Sequence, residues 1–291
     1  GVRCAHLLTT RFPKVALRFA EQLVQVAELP TAQGVALLRA LAPVAVDFSP
    51  ETAVSLVKQL GGLPLAVQLS GQYLRGESYG EQSGRLAHAW QQLTLPDSSL
   101  RLEQPQLPLT PHPSLPSQAP ISLQRLIGLS EAALSPSGRQ SLAALGCLPP
   151  KPASFSLATA LAVAGLANPQ PIYELVDYGL LEPIGEARYG LHQSIAGFLS
   201  GKTAVFAKQR LAEHVVAFVQ NNKQDVRQIQ QNYPVIEAGL AAANEQHFLL
   251  LLAQIIHGLL GYVDLAGLFD EGMRLVAMLD EVAPAEPLAQ T

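Results

Sequence analysis

Apolar residues spaced three and four positions apart run through most of the chain and predict a series of amphipathic helices. The helix before residue 61 has Ser49-Pro50 as cap and first-turn residue, and its apolar face comprises Ala53, Leu56, Val57 and Leu60. Gly61 or Gly62 ends this helix, because glycine tolerates the left-handed conformation, and Pro64 begins the next. The buried stripe of that second helix comprises Leu65, Leu69 and Tyr73. The pattern therefore predicts a tight corner between two helices at residues 61–66.

Other helices are predicted on both sides of this corner. Thr31 caps an earlier helix, whose apolar face comprises Val35, Leu38, Leu41 and Ala42. After residue 120, four helices are marked in turn by Leu123, Leu126 and Ile127, by Ser135-Pro136, by Ser156 and by Asn168-Pro169. The fourth of them ends at Gly179. From Thr203 onward the pattern is helical, with Leu249 to Leu260 and Leu265 to Leu279 as a last antiparallel pair.

Strand signals are few. Leu180 to Ile184 and Ala187 to Leu191 flank Gly185-Glu186, which predicts a hairpin with a two-residue turn. Ala5 to Leu8 forms one further short strand, closed by Thr9-Thr10-Arg11. A lone strand cannot bury both faces, so we expect its sheet partners to lie upstream and the chain to be a fragment. Residues 95–120 are crowded with proline and read as an extended linker.

Composition limits the partners of the chain. The 291 residues are 48% hydrophobic and 14% charged, with a net charge of −4 and a pI near 6.0. A globular protein is expected, with no general attraction to nucleic acid or anionic membrane. Cys4 and Cys147 lack CxxC spacing, so neither a disulfide framework nor a zinc site is indicated, and a cytoplasmic location is expected. The apolar run Phe248 to Val263 reads as a buried helix and not as a membrane span.

Three short motifs resemble the NB-ARC group of signal-transduction ATPases, the STAND class. Leu60-Gly61-Gly62-Leu63-Pro64-Leu65-Ala66, with Tyr73 downstream, resembles its proline corner, which implies that Pro64 packs against adenine. Thr9-Thr10-Arg11 resembles the end of its last core strand, which implies that Arg11 senses the γ-phosphate. Leu191-His192 resembles the Met-His-Asp signature, which implies that His192 contacts the β-phosphate of ADP. Gln193 departs from the Asp of that signature and leaves the orientation of His192 open.

The resemblance implies a mainly α fold: a helical bundle, a winged helix and the start of an α-superhelical, tetratricopeptide-like arm, with a remnant strand of an α/β nucleotide-binding domain. Residues 1–28 would end the nucleotide-binding domain, 29–95 would form the small helical domain, and 96–120 the linker. Residues 121–200 would form the winged helix and 201–291 the arm. The motifs cover residues 1–200 well and the remainder weakly.

The implied function is a regulatory switch. ADP would be held between Pro64 and His192 in a closed state, and exchange for ATP, sensed by Arg11, would open the molecule for self-assembly. Other proteins would bind the C-terminal helical arm. No phosphate loop or acidic metal-binding strand precedes residue 11, so we do not expect this chain alone to hydrolyse ATP, and Mg²⁺ is expected only with an upstream domain.

Plainer interpretations remain for each motif. Residues 61–66 could be only a corner between core helices, Arg11 a solvated strand end, and His192 an ordinary core or surface histidine. A protein-interaction scaffold with a vestigial nucleotide site is one alternative function. A winged-helix DNA-binding regulator is another, but residues 171–179 carry Glu174 and Asp177 and no basic residue, which disfavours DNA contact.

One further motif points to ATP hydrolysis. Residues 196–203 fit a relaxed phosphate-loop pattern that ends in Gly201-Lys202-Thr203. A phosphate loop needs a buried strand before it, and the polar stretch His192-Gln193-Ser194 does not supply one. We therefore interpret these residues as a turn between helices.

Overall fold

The computed structural model describes residues 18, 24, 26–78, 83–94, 123–185 and 187–282, and over these the chain is mainly helical with one small antiparallel sheet. The predicted mainly α class is therefore confirmed at that level. Arg11 and the expected strand at residues 5–8 lie outside the described residues, as does the proline-rich stretch from residue 95 to residue 120.

The secondary structure falls into three runs along the chain. Before residue 95 the helices are α1 (Thr31–Leu41), α2 (Pro43–Phe48), α3 (Pro50–Gln59), α4 (Pro64–Glu77) and α5 (Ser83–Thr94). Between residues 123 and 199 the elements are α6 (Leu123–Ala133), α7 (Pro136–Leu145), β1 (Phe155–Ser156), α8 (Leu157–Ala164), α9 (Gln170–Asp177), β2 (Glu182–Pro183), β3 (Arg188–Gly190) and α10 (Gln193–Leu199). The last run comprises α11 (Val205–Asn221), α12 (Val226–Glu245), α13 (Leu249–Ala266) and α14 (Phe269–Val282).

The predicted corner between α3 and α4 is present. Gly61 and Gly62 have φ of 62° and 69°, so both adopt the left-handed conformation. The Gly61 N–H donates to the carbonyl of Lys58 at 3.1 Å and the Gly62 N–H to that of Val57 at 3.3 Å, which is the bonding pattern of a Schellman motif. Pro64 then occupies the first turn of α4, where no N–H is needed.

Both helices bury the faces that their spacing predicts. The four apolar positions of α3 and its end are at most 3% exposed, and on α4 Leu69 and Tyr73 are buried while Leu65 is half-buried. Thr31 proves not to be a cap: α1 begins at Thr31, its N-cap residue is Pro30, and no side chain accepts a hydrogen bond there. Proline supplies only a carbonyl, so the first N–H groups of α1 lack a side-chain acceptor.

The middle run is built around β3. It pairs antiparallel with β1 on one edge, Phe155 opposite Tyr189, and with β2 on the other, Glu182 opposite Gly190. The predicted hairpin is therefore present, but its turn is longer than expected. Ile184 N–H donates to the carbonyl of Arg188 at 2.8 Å, so the turn closes between these two residues and not between Ile184 and Ala187. Gly185 and Ala187 in this loop have φ of 66° and 52°.

Two of the predicted caps in this run hold. Ser135 Oγ accepts from the N–H of Gly138 at 3.0 Å at the start of α7, and Ser156 Oγ accepts from the N–H of Thr159 at 3.1 Å at the start of α8. Ser156 is also the last residue of β1, so strand and helix follow each other without a loop. Buried Ile172 and Leu175 fix the inner face of α9.

The C-terminal helices pack on the middle run through α11, which lies against α8. His214 on α11 is hydrogen-bonded to Thr159 Oγ1 at 3.1 Å, and Arg210 Nε donates to the carbonyl of Val163 at 2.8 Å. Arg188 of β3 reaches α12, where its guanidinium donates to Asn232 Oδ1 at 3.2 Å. The sheet and the last helices are thus joined by side-chain hydrogen bonds as well as by apolar packing.

Helix α13 is less buried than its hydrophobicity predicts. Among the described residues it is the one helix long and apolar enough to cross a membrane, with a mean hydropathy of 1.7. Its inner face, which includes Leu252, Ile255 and Leu259, packs against α11 and α12. The expected buried helix is therefore buried on one face only, because Leu250 and Leu260 of the same run are 71% and 42% exposed.

We predict that the corner depends on glycine at residue 62. A Cβ there would lie 2.2 Å from the carbonyl oxygen of Leu29, whose N–H donates to the Gly62 carbonyl at 2.9 Å. We expect Gly62→Ala to lower the free energy of unfolding by more than the roughly 1–2 kcal/mol of left-handed strain, measured by urea denaturation.

Gly201→Ala is the matched control, because Gly201 has φ of 78° and open space where a Cβ would stand. It should lose only the strain, roughly 1–2 kcal/mol. Equal losses for the two variants would contradict a role for the Leu29 contact.

A second prediction concerns the docking of α14. Tyr233 Oη donates to a Glu271 oxygen, and Arg274 Nε donates to Glu271 Oε2 at 2.8 Å. The hydrogen bond from Arg274, opposed by burial, lowers the pKa of Glu271. We expect Glu271→Gln to destabilise the protein by about 1 kcal/mol at neutral pH. The difference in stability between the variant and the parent should vanish as pH falls through the lowered pKa of Glu271, since Glu271 is then protonated in both the folded and the unfolded parent protein.

Urea unfolding of both proteins between about pH 3 and pH 7 measures this difference. Lys208→Met, which removes an ion pair with Glu245 on the neighbouring helix, serves as the control for general electrostatic effects. A loss for Glu271→Gln that stays constant with pH would contradict the assignment to the carboxylate.

Candidate functional site

The first of the predicted site residues, Pro64, lies at the exposed apex of the corner. Pro64 is exposed and the neighbouring Leu63 is 37% exposed, while Ala66 beneath them is buried. The Leu63 carbonyl accepts the first bond of α4, from Val67 N–H at 3.0 Å. The corner therefore presents a rigid, apolar proline ring to solvent.

His192 lies directly after β3 and is the N-cap residue of α10. Its Nδ1 accepts from the N–H of Ser194 at 3.1 Å, so in the neutral ring the proton is on Nε2. Burial lowers the pKa of His192 from its usual range, the ammonium of Lys151 lowers it further, and Glu182 opposes them. At neutral pH the half-buried imidazole is uncharged, with Nε2–H as a hydrogen-bond donor.

The side chain of Gln193 does not bond to His192 and therefore does not orient it. The amide Nε2 of Gln193 donates to the carbonyl of Lys151 at 3.2 Å. An Asp in its place has no N–H with which to make this bond. Orientation of the imidazole comes instead from the Ser194 N–H, which is a backbone group and is independent of the side chain at residue 193.

Lys151 and Glu182 are two neighbours of His192 that the sequence did not single out. The Lys151 ammonium forms an ion pair with Glu182, and the two side chains are 32% and 29% exposed. Lys151 N–H also donates to the carbonyl of Leu191 at 2.8 Å, which holds its backbone beside that of His192. Lys151 follows two prolines in an irregular segment, and no periodic pattern marks it.

Pro64 and His192 belong to separate parts of the described structure. At its C-terminal end α4 touches the middle run through Arg75, which pairs with Asp177 at 3.3 Å, and Gly76, which packs against the Tyr178 ring. Helix α4 also packs against α6. Pro64 lies about 18 Å from Gly76 along the helix, at a rise of about 1.5 Å per residue. Within the described residues no hydrogen bond or ion pair joins the corner to the His192 segment.

Two cavities in the described part of the chain lie elsewhere. One of about 130 Å³ is lined by Gln72, Arg75, Gly76, Asp177 and Tyr178, at the contact between α4 and the end of α9. Another, of about 420 Å³ and open to solvent, lies at the turn between α11 and α12. Neither includes Pro64 or His192. In the described parts of the chain no group of three or more His, Cys, Asp or Glu side chains is arranged to hold a metal ion.

The phosphate-loop-like stretch is a turn between two helices, as predicted. Its first four residues are the end of α10, residues 200–204 form the turn, and α11 begins at Val205, two residues later than expected. The side chain of Lys202 is used in contacts within the fold: its ammonium lies 3.5 Å from the centre of the Phe198 ring and 3.3 Å from Glu131. The strand that a phosphate loop requires is replaced by a helix, so this stretch does not form one.

Helix α9, the candidate for DNA contact, uses its carboxylates within the fold. Glu174 accepts from the N–H and the hydroxyl of Ser135 at 2.6 and 2.7 Å, and Asp177 pairs with Arg75. No Lys or Arg occurs between residues 170 and 179. The chemistry of this surface is therefore that of an intramolecular contact, since phosphate binding requires basic groups.

No protein-family model matches this chain, and no curated protein sequence matches it at a significant level. The resemblance to NB-ARC proteins therefore depends on the motifs at residues 9–11, 60–66 and 191–192.

We predict that the pKa of His192 lies below its usual range and that the neutral ring carries its proton on Nε2. Because its pKa is lowered in the folded state, the unfolded chain takes up the proton first, and stability should fall as pH drops below about 6.5. NMR of the imidazole nitrogens against pH gives both the tautomer and the midpoint.

Two variants separate the cap from the titration. His192→Asn keeps a side-chain acceptor suited to an N-cap, whereas His192→Ala removes it and should cost roughly 0.5–2 kcal/mol. Neither variant should show the titration of His192. An Nδ1–H tautomer in the parent protein would contradict the hydrogen bond from Ser194.

Proposed function

We propose that this chain is part of a nucleotide-dependent regulatory switch of the NB-ARC/STAND class, in which Pro64 packs against the adenine of ADP and His192 donates to its phosphate. The single observation that carries the proposal is the state of His192. It is oriented by a backbone group, it is uncharged at neutral pH, and its Nε2–H is available to a phosphate oxygen.

The arrangement of residues 123–190 supports a winged helix at residues 121–200. Helices followed by a small hairpin are the layout of that fold, and here the hairpin is completed by β1 into a three-stranded sheet of order β1-β3-β2. His192 follows the sheet directly, which is the place of the Met-His-Asp-type signature just after the wing. The intramolecular use of Glu174 and Asp177 on α9 supports a regulatory role over DNA binding.

Opening of the switch would separate the helices before residue 95 from the middle run. Their contact includes polar groups: Gln72 Nε2 lies 3.5 Å from the Val176 carbonyl, Arg75 pairs with Asp177 on the exposed surface, and Arg125 donates to the carbonyl of Gln92 at 2.7 Å. Helix α4 also packs against α6, and buried residues of both runs belong to one apolar core. The exposed ion pair contributes only about 0–1 kcal/mol, so the apolar packing is the larger part of what nucleotide exchange would have to overcome.

A scaffold function is the second candidate, and the outer face of α14 favours it. Phe269, Met273 and Val276 fall at i, i+4 and i+7 of this helix and are 72%, 72% and 43% exposed. Apolar side chains in such a row are typical of protein-binding helical surfaces. This surface would act without any nucleotide, so binding measurements separate the two functions.

The test uses the adenosine half and the diphosphate half of ADP as separate ligands. Backbone and imidazole NMR spectra of the chain are recorded with adenosine, inorganic pyrophosphate and ADP. We expect adenosine to shift Leu63 to Ala66, pyrophosphate to shift His192, and ADP to shift both. Pro64→Ala should remove the first response and His192→Asn the second, with affinity losses of roughly 1.5–3 kcal/mol for the phosphate contact.

His88→Asn is the matched control, because it makes the same chemical change at an exposed histidine of α5. If ADP shifts neither segment while the spectrum remains that of the folded chain, the nucleotide proposal fails. The scaffold function then stands as the better account.

A further inference from the structure

The cluster formed by Lys151, Glu182, Gly190 and His192, called here the Lys151 cluster, lies at the end of the sheet. Gly190 and His192 are two positions apart in extended backbone, so they point to the same side of the strand. A Cβ on Gly190 would stand 2.4 Å from Cδ1 of Ile184 and 3.0 Å from Cγ of Lys151, so the lysine stem packs over this glycine. The missing side chain at Gly190 leaves room for both side chains.

Glu182 on β2 is the ion-pair partner of Lys151. It pairs with Gly190 across β2 and β3, and its carboxylate contacts the ammonium of Lys151. The backbone of Lys151 is fixed from both sides of His192, by its N–H to Leu191 and by the Gln193 amide to its carbonyl. An ammonium on a fixed stem and an imidazole N–H therefore share one face of the strand.

Charge decides what this face can bind. At neutral pH the uncharged imidazole of His192 contributes a hydrogen-bond donor without a charge. Lys151 is therefore the cation of the cluster, and the Glu182 carboxylate is the anion paired with it. A phosphate group is anionic like the Glu182 carboxylate, and its oxygens accept hydrogen bonds from the same donors. The ion pair is nearly one-third exposed on both sides, so solvent screening keeps it weak and exchangeable.

We propose that Lys151 is the second residue that binds the phosphate group at His192, and that Glu182 holds its ammonium when no phosphate is bound. This inference rests on the proposed function for the nucleotide, but the anion site itself does not require adenine. The ligand class is a phosphate or pyrophosphate group, either free or as the end of a nucleoside diphosphate. The side chains of Lys151 and His192 carry the site; the short helix α10 is not needed for it.

The experiment measures pyrophosphate and ADP affinities by NMR titration of the chain and of two variants. Lys151→Met keeps most of the apolar stem over Gly190 and removes the charge, and it should weaken both ligands at least about tenfold. Glu182→Gln removes the competing carboxylate and should tighten both by about two- to fivefold. Lys208→Met, which breaks the ion pair with Glu245 on α12, is the matched control and should change neither.

The outcomes separate the two proposals. If pyrophosphate binds with the expected dependence on Lys151 and Glu182 but ADP binds no more tightly and leaves Leu63 to Ala66 unchanged, the anion site stands and the nucleotide function fails. If ADP binds and needs His192 but is indifferent to Lys151→Met and Glu182→Gln, the role of Lys151 is overturned and the nucleotide function stands. If pyrophosphate does not shift His192 at all, the Lys151 inference is overturned.

Discussion

The pairing of β3 on both edges is the constraint on which the middle of the molecule depends. A strand bonded on one side to β1 and on the other to β2 cannot shift its register without breaking both ladders. Its side chains are therefore fixed in place. Arg188 is directed to Ser154 and α12, Gly190 leaves the path for Lys151, and the chain leaves the sheet with His192 in position to cap α10.

The glycine corner provides a second fixed point of a different kind. Gly61 and Gly62 end α3 through backbone bonds alone, and Gly62 accepts the N–H of Leu29 from the segment that precedes α1. Three chain segments thus meet where side chains are absent. Pro64, the first residue of α4, comes directly after this junction and is exposed. The two fixed points support the two halves of the candidate site.

Sequence reasoning predicted the features whose cause is local. The corner follows from glycine and proline chemistry, and the caps Ser135 and Ser156 follow from their own hydroxyls. Strand β1 was missed because two residues carry no alternating pattern and become a strand only through pairing with residues 188–189. Helix α5 was missed although its signal was present, at Leu86, Ala89, Trp90 and Leu93.

The candidate site was predictable only in part, for the same reason. His192 is next to a recognisable signature, whereas Lys151 is about 40 residues away in sequence and reaches it through sheet geometry. The bond from Gln193 to the Lys151 carbonyl likewise depends on a contact that no local pattern records. The relation of Arg11 to these residues stays a prediction.

The hydrogen bond between Arg188 and Asn232 also couples the position of α12 to that of β3. Asn232 is nearly buried and is tied to the strand by a guanidinium that has no carboxylate partner among its hydrogen bonds. From that point the helix continues about 20 Å to its end at Glu245, at a rise of about 1.5 Å per residue. If the helix followed a tilt of the strand by about 10°, its end would move by about 3.5 Å over this length. A small rearrangement of the strand beside the imidazole would thus become a larger displacement at the end of α12.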